Sequence, residues 1–336
     1  MHIGLTFNLK SDVQGNHDGP EDRFEEFDSE ETIGALEAVI RSRGHTVTRL
    51  GWGTAMLDRI DEARRAGKPV DGVFNLAEGI GGRGREAQVP AVLEMLGIPH
   101  TGSDALTLGI TLDKALAKRV AASHGIPTAP FVTVREVADL DRARALRFPL
   151  FAKPAAEGSS MGIRDRSVVE TWEELRTLVT ALSSDYGGDV LIEEFLSGDE
   201  LTVGIIGNGE EARVVGTMQI VPKVQAGTPF VYSLEVKRDF RQRVDYIMSE
   251  GIDAERRAAV ERVALDVHYA FGCRDVSRVD IRFDRDDRPA FIEVNPLPGM
   301  NPSTSDLVIL ATGHGWKYDE LIGSVLDAAI SRWARA

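Results

Sequence analysis

The chain has 336 residues, 43% of them hydrophobic, with 39 basic against 53 acidic side chains and a formal net charge of −14. That length calls for two or three sub-domains, and the acidic balance argues against nucleic acid as a partner while leaving room for an anionic nucleotide, which needs only local lysines and backbone amides. No apolar run of roughly 18 residues occurs, the N-terminus MHIGLTFNLK lacks an apolar core and cleavage site, and the lone Cys273 excludes an internal disulfide framework or multi-cysteine zinc site; a cytoplasmic protein without a membrane segment is expected.

In chain order, IGLTFN (3–8) reads as a strand. FDSEETIGALEAVIRSRGH reads as a helix with Asp28 or Ser29 as N-cap, Ile33, Leu36, Val39 and Ile40 as an apolar stripe, and Gly44 past its end. HTVTRL (45–50), a helix near 54–66 and the strand GVFNL (72–76) complete a βαβαβ unit. The acidic stretch LKSDVQGNHDGPEDRFEEFD between the first strand and helix suits a loop over a cleft or a solvated linker. Gly79, Gly81 and Gly84 match G-x-G-x-x-G after a strand, but 33 glycines make such spacings common and no patterned strand ending in an acid follows, so a dinucleotide site is not expected. Absence of G-x-x-x-x-G-K-[ST] excludes a P-loop NTPase.

After IPHTGSD a helix is expected over about 104–123, carrying Lys114 in TLDKALAK with Leu112, Leu116 and Val120 packing inward. FVTV, a helix near 136–147, PLFAKPA and a helix near 170–183 make a small α+β segment. In FAKPAAEGSSMGI (151–163), Lys153 ends an apolar strand that would fix its ammonium, and Glu157, Gly158, Ser159, Ser160, Met161 and Gly162 can fold their amides around phosphate oxygens. A glycine hairpin beside a surface lysine is the plain alternative. In VLIEEFLSGDE (190–200), backbone at Glu193, Glu194, Phe195 and Leu196 can read a base through its own N–H and C=O, and Glu200 can accept from ribose hydroxyls. Taken alone, that is an ordinary strand and turn.

Strands near 200–207, 213–221, 276–283 and 289–295, with helices near 254–271 and 316–334, suggest a larger antiparallel sheet. Its last two strands, SRVDIRF and PAFIEVN, alternate polar and apolar residues, with Val279, Ile281 and Phe283, or Ile292 and Val294, on the oily face. A four-residue loop over Arg285 to Arg288 would pair Asp280 with Glu293 and Arg278 with Asn295. Two ionised carboxylates so placed repel unless one keeps a proton or a hard cation lies between them, and a Mg²⁺ carrying a nucleotide phosphate answers this economically. A half-exposed hairpin with a solvated polar face is the bland alternative. In YAFGCRD, Cys273 follows a helix end and is expected to be a packed small residue.

Taken together, PHTGS with LDK, FAKPAAEGSSMGI, VLIEEFLSGDELTV, SRVD and FIEVNPLPGM, in that order, resemble an ATP-grasp ligase of the D-alanine–D-alanine ligase-like branch, from about residue 70 to the C-terminus. The resemblance implies an α/β and α+β ATP-grasp fold: a Rossmann-like N-terminal α/β domain (1–102), a small central α+β subdomain (103–186) and a C-terminal antiparallel-sheet subdomain (187–336). It implies Lys114 and Lys153 on ATP phosphates under the loop from Glu157 to Gly162, Glu193 to Leu196 at adenine, Glu200 at ribose, and two Mg²⁺ on Asp280, Glu293 and Asn295. Arg278 and the Gly299 amide would stabilise negative charge on the substrate carboxyl. The implied reaction is ATP-dependent amide formation through an acyl phosphate, with a carboxylate donor and an amine acceptor as small-molecule partners, neither nucleic acid nor membrane, and a homodimer as the assembly to test. A phosphotransferase on the same fold and an ATP-binding protein without turnover are the rival readings.

The chain departs from that family's pattern where substrates bind. The N-terminal stretch is the acidic DRFEEFDSEE, with Glu26 or Asp28 as stand-ins for an ammonium-gripping glutamate, and EGIGGRGR puts Glu78 where the family has an imidazole and Arg83-Gly84 where it has acids. The lid segment LEVKRDF offers Lys237 and Arg238 in place of Lys-Tyr, and NPSTSDL offers Ser303, Thr304 or Ser305 for a second carboxylate. These exchanges imply a pocket for ammonium groups, with Arg83, Arg85 and Arg238 as candidate receivers of further carboxylates, and D-alanine as a poor substrate.

Overall fold

The computed structural model describes residues 1–13, 24–156, 167–223 and 230–335. Three sheets organise them. The first is parallel, in the order β2-β1-β3, from β1 (His2–Thr6), β2 (Thr46–Arg49) and β3 (Gly72–Asn75), with α1 (Glu30–Ser42) and α2 (Gly53–Arg65) as its crossovers. Ser29 is the N-cap of α1, accepting from Thr32 N–H, while Asp28 instead donates its backbone N–H to Asn8 O. The stripe of Ile33, Leu36, Val39 and Ile40 is buried against Ile3 and Leu5, as the spacing predicts, and the same cluster takes in Leu321, Ile322, Val325 and Leu326 from the far end of the chain. Helices of the C-terminus thus close the core of the N-terminal sheet.

Next come α3 (Gln88–Met95), α4 (Ala105–Leu112) and α5 (Lys114–Ser123). The single helix expected over 104–123 is broken at Asp113, whose extended backbone ends α4 and whose side chain caps α5. A four-stranded antiparallel sheet, β4-β7-β5-β6, follows from β4 (Phe131–Val134), β5 (Leu150–Pro154), β6 (Val168–Val169) and β7 (Val190–Glu194), backed by α6 (Trp172–Asp185) with a Thr171/Glu174 capping box. The helix expected near 136–147 is a 3₁₀ segment, Val137–Ala145.

The third sheet is antiparallel, β10-β9-β8-β11-β12. It comprises β8 (Glu200–Ile206), β9 (Arg213–Pro222), β10 (Val244–Met248), β11 (Val276–Phe283) and β12 (Pro289–Asn295). Between β9 and β10 lie the short helices α7 (Leu234–Arg238) and α8 (Phe240–Arg243), and α9 (Ala254–Ala270), α10 (Asp306–Gly313) and α11 (Tyr318–Trp333) complete the chain. Gly198 turns β7 into β8 because a Cβ there would stand 2.8 Å from Phe283 O. Cys273 is buried, and burial pushes its thiol up to about 12, so it is packed and not a nucleophile. Among the described residues no helix is long and apolar enough to cross a membrane.

Candidate active site

The β11/β12 hairpin supplies the floor. Arg278 pairs with Asn295 and Asp280 with Glu293, the expected register, but by a different route. The pairing resumes at Phe283 and Pro289, which makes the connecting loop five residues long, and an irregularity beside Asp280 and Ile281 restores the frame by leaving Ile292 unpaired. The bulge re-aims one side chain: Ile292, expected on the oily face, lines the polar cavity with Glu293, while Val294 stays in the core.

On the facing side, α5 and the four-stranded sheet supply cations. Because Asp113 restarts the helix, Lys114 is its first residue, its N–H donating to Ala155 O at 2.8 Å and its Nζ standing 3.4 Å from Glu293 Oε2. The inward face of α5 is Lys114, Ala115, Ala117, Lys118 and Ala121, whereas Leu116 and Val120, expected inside, are half-buried. Small alanines let the helix approach the sheet, and the lysines turn in because carboxylates wait for them. Lys118, 0% exposed, donates to Glu193 Oε2 at 2.7 Å and to Thr128 Oγ1, and Lys153 reaches Glu193 Oε1 at 3.0 Å. Lys118 escaped the sequence reading, although its place four residues after Lys114 puts both on one helix face.

These cations settle the titration. Burial alone would raise Glu193, but Lys118 and Lys153 outweigh it and leave the carboxyl at about 2. Burial likewise loses at Glu293, where Lys114, Lys153, Lys237 and Arg278 bring the carboxyl to about 2. The repulsion expected across the Asp280/Glu293 pair is therefore met within the chain. Arg278 holds Asp280 through Nε at 3.3 Å and Nη2 at 3.1 Å, and Thr202 Oγ1 donates to the same carboxylate. Asn295 Oδ1 accepts from Leu297 N–H at 2.9 Å, which fixes its amide. Asp280, Glu293 and Asn295 offer oxygen alone, the donor set a hard divalent cation takes, and so fit Mg²⁺.

Beside this floor a cavity is walled by Phe151, Phe195, Leu196, Val231 and Ile292, with Lys153, Lys237 and Glu293 among its polar groups. Apolar walls leading to lysines suit a base followed by phosphates. The N–H groups of Glu194 and Phe195 are already bonded, to Pro130 O and Pro149 O, each at 3.0 Å, so the segment offers its carbonyls and Leu196. The Glu194 carboxylate is taken by Arg147 and Arg285, and that of Glu193 by the lysines, so neither side chain is a base reader. Glu200 faces the cavity but pairs with Arg282 Nη1 at 3.2 Å, and Arg282 lies 4.7 Å from the Phe195 ring. Arg282 was also missed, although it continues the Arg278, Asp280 alternation on β11. Glu157, Gly158, Ser159, Ser160, Met161 and Gly162 lie outside the described residues.

A second, more polar cavity adjoins through Lys237 and reaches Arg278, Asn295 and Gly299. Glu26, Asp28 and Glu78 line it, as do Thr304 and Ser305, but exposed Ser303 does not. Ser303 and Thr304 instead donate their N–H groups to Asn301 Oδ1, and Ser305 Oγ accepts from Asn301 N–H at 2.8 Å. A Cβ on Gly299 would stand 2.9 Å from Ser305 Oγ, a close approach that keeps the turn bare beside Arg278. Three arginines expected to receive substrate carboxylates are committed elsewhere: Arg238 to Glu25 at 3.0 Å, Arg83 to Asp113 and Arg85 to Glu26. Glu26, Glu78 and Glu86 bring carboxylate oxygens within 4.8 Å of one another. Burial, with Glu26 adding to it and Arg85 opposing, pushes Glu86 to about 8, and burial pushes Asp28 to about 7. Asp306 was not foreseen. It accepts from Tyr232 Oη at 3.0 Å and stands 3.7 Å from Arg278 Nη1, a meeting of distant segments that no local pattern announces.

A family model described as D-ala D-ala ligase C-terminus matches residues 120–327. The chain is 31% identical over 298 residues to the D-alanine–D-alanine ligase of Xylella fastidiosa (strain Temecula1), covering 87% of this chain and 91% of that one. Its fold matches the D-alanine–D-alanine ligase of Bacillus anthracis complexed with ATP, with a TM-score of 0.70 at 21% identity over 100% of this chain and 99% of the other. It also matches the VanG D-Ala:D-Ser ligase of Enterococcus faecalis, with a TM-score of 0.72 at 22% identity over 98% and 99%.

Proposed function

This chain belongs to the D-alanine–D-alanine ligase family of ATP-grasp enzymes, and from that premise we infer that it is an ATP- and Mg²⁺-dependent ligase joining a carboxylate donor to an amine acceptor. The carrying observation is the opposition of two charged surfaces: Lys153, held by Glu193 that Lys118 pairs from behind, lines one cavity with Asp280 and Glu293, Lys114 stands beside Glu293, and Asn295 lines the adjoining cavity. In the reaction the donor carboxylate takes the γ-phosphoryl of ATP, giving an acyl phosphate and ADP, and the amine then displaces phosphate to leave an amide. Two Mg²⁺ held by Asp280, Glu293 and Asn295 would neutralise charge on the phosphate oxygens.

The chain's own residues do the rest. Glu193, kept ionised between Lys118 and Lys153, fixes the Lys153 ammonium toward the phosphates. Phe151, Phe195, Leu196 and Ile292 hold the base, with a Leu196 backbone contact at its edge, and Glu200 is directed to the ribose by Arg282. Arg278, held between Asp280 and Asp306, is the cation placed to stabilise the oxyanion when the amine attacks, with the Gly299 N–H as a second donor. Lys237, in both cavities, follows the charge from phosphate to substrate. ATP as co-substrate fits action in the cytoplasm, and a homodimer is the assembly to test.

A screen of amino-acid and amine pairs for Mg²⁺-dependent ADP release, with mass spectrometry of the product, tests the reading. ADP and phosphate in equal amounts, released only with an amine present, are expected. ADP release indifferent to the amine would favour a phosphotransferase, and AMP with pyrophosphate would reject the acyl-phosphate route.

A further inference from the structure

Among the described residues the second cavity gathers more carboxyl groups than cations, so a cation that entered it would find acids waiting to ionise. Five carboxylates line it, on Glu25, Glu26, Asp28, Glu78 and Asp306. Three cations face them, Lys10, Lys237 and Arg278. Among the described residues, widening the circle does not restore balance, because Arg238 and Arg85, which pair with Glu25 and Glu26, bring in Glu86 beside Arg85, and Arg278 brings in Asp280. Glu78 forms no hydrogen bond or ion pair among the described residues, yet it shares its corner with Glu26 and Glu86. Burial, reinforced by those two neighbours, holds its carboxyl well above the ordinary range, since Arg85, which opposes the rise, is paired with Glu26 and Glu86.

Arg278 decides what this surplus means for the substrates. Its guanidinium already has two carboxylates, Asp280 at 3.1 Å and Asp306 at 3.7 Å, all three side chains being only 10% to 13% exposed. An acceptor carboxylate seeking that guanidinium would have to settle against Asp306, where little water screens the repulsion. An ammonium or guanidinium entering the same space gains Asp306 at the start of α10 and Glu78 after β3 as charge-assisted partners.

We propose that this cavity takes an acceptor amine carrying a second cationic group and no free carboxylate, a diamine or the amide of a diamino acid, with Asp306 and Glu78 as the residues that set the preference. The inference rests on the ligase reading and names the class of its acceptor. Calorimetric titration of the full chain loaded with Mg²⁺ and AMP-PNP tests it directly, with lysine amide, alanine amide, lysine and glutamate as probes. Lysine amide should bind on the order of tenfold or more tighter than each of the others, and Asp306→Asn or Glu78→Gln should narrow its lead over alanine amide by about tenfold. Equal binding of alanine amide or glutamate, or a lead unmoved in both variants, overturns it. Amine-dependent ADP release with the same probes separates the two readings. Release with neutral amines alone overturns the acceptor class and keeps the ligase, whereas release that no amine alters overturns both.

Discussion

Glu193 lines the first cavity and Glu86 stands behind Glu26 and Glu78 of the second; both are buried carboxylates, and they titrate in opposite directions. At the phosphate end Glu193 lies between two ammonium groups and stays ionised down to about pH 2. At the substrate end Glu86 shares one guanidinium with Glu26 and holds its proton to about pH 8. Burial pushes both upward, so the difference is the local supply of cations. The first region sets Lys114, Lys118, Lys153, Lys237 and Arg278 against Glu193, Glu293 and Asp280, and with cations in excess it can hold a polyanion at once. The second is short of positive charge, which suits a ligand that brings its own.

Substitutions that cut this contrast should show effects in a definite order. The largest belongs to Glu293→Gln, which removes a metal-binding charge where phosphoryl transfer occurs; the rate of ADP release should fall on the order of a hundredfold with the circular-dichroism spectrum intact. Near-normal turnover would remove Glu293 from the machinery. Arg85→Met would take from the acid corner the one guanidinium that the described residues give it and should lower unfolding stability by on the order of 2 kcal/mol, less than the usual cost of breaking a buried pair because the acids can take up protons. Urea denaturation at pH 8 and pH 5 checks this, since the loss should shrink at the lower pH.

Lys118→Met is expected to act at a distance. It leaves Lys153 and Glu193 in place but removes the 2.7 Å bond that aligns them, so KM for ATP should rise about tenfold while kcat changes less. A fall in kcat alone would give Lys118 another role.

The smallest effect is in the pH profile of stability. A carboxyl whose folded pKa stands above its unfolded value contributes stability that is complete below the unfolded value and is lost as pH rises through the folded one. Asp28 at about 7 and Glu86 at about 8 should therefore lower Tm by a few degrees between about pH 5 and pH 8. Glu193 and Glu293, both at about 2, contribute stability above the unfolded value that is lost only as pH falls toward 2. Glu86→Gln should flatten the alkaline limb and leave the acid limb alone, as differential scanning fluorimetry can show.

Much of this contrast could be read along the chain, and much could not. The alternation in SRVDIRF and FIEVN was enough to put Arg278, Asp280, Glu293 and Asn295 on polar faces, since a strand sends every second side chain to one face, but their pairing came out as expected only because the bulge offsets a loop one residue longer than expected. The apolar stripe of α1 and its glycine stop were equally plain, because helix periodicity and capping are local properties. A local pattern also named Lys153, and the family resemblance named Lys114. They did not give the partners that decide what those residues do. Lys118 meets Glu193 across 75 positions, Arg238 meets Glu25 across 213 and Tyr232 meets Asp306 across 74. The bulge at Ile292 and the helix break at Asp113 belong to the same class, small backbone adjustments fixed by what packs against them. Most strands and helices, and the faces that carry charge, are legible in the chain because they follow from neighbours along it. Only the tertiary structure decided which charges are neutralised and which stand unpaired, because burial and ion pairing depend on what folding brings alongside.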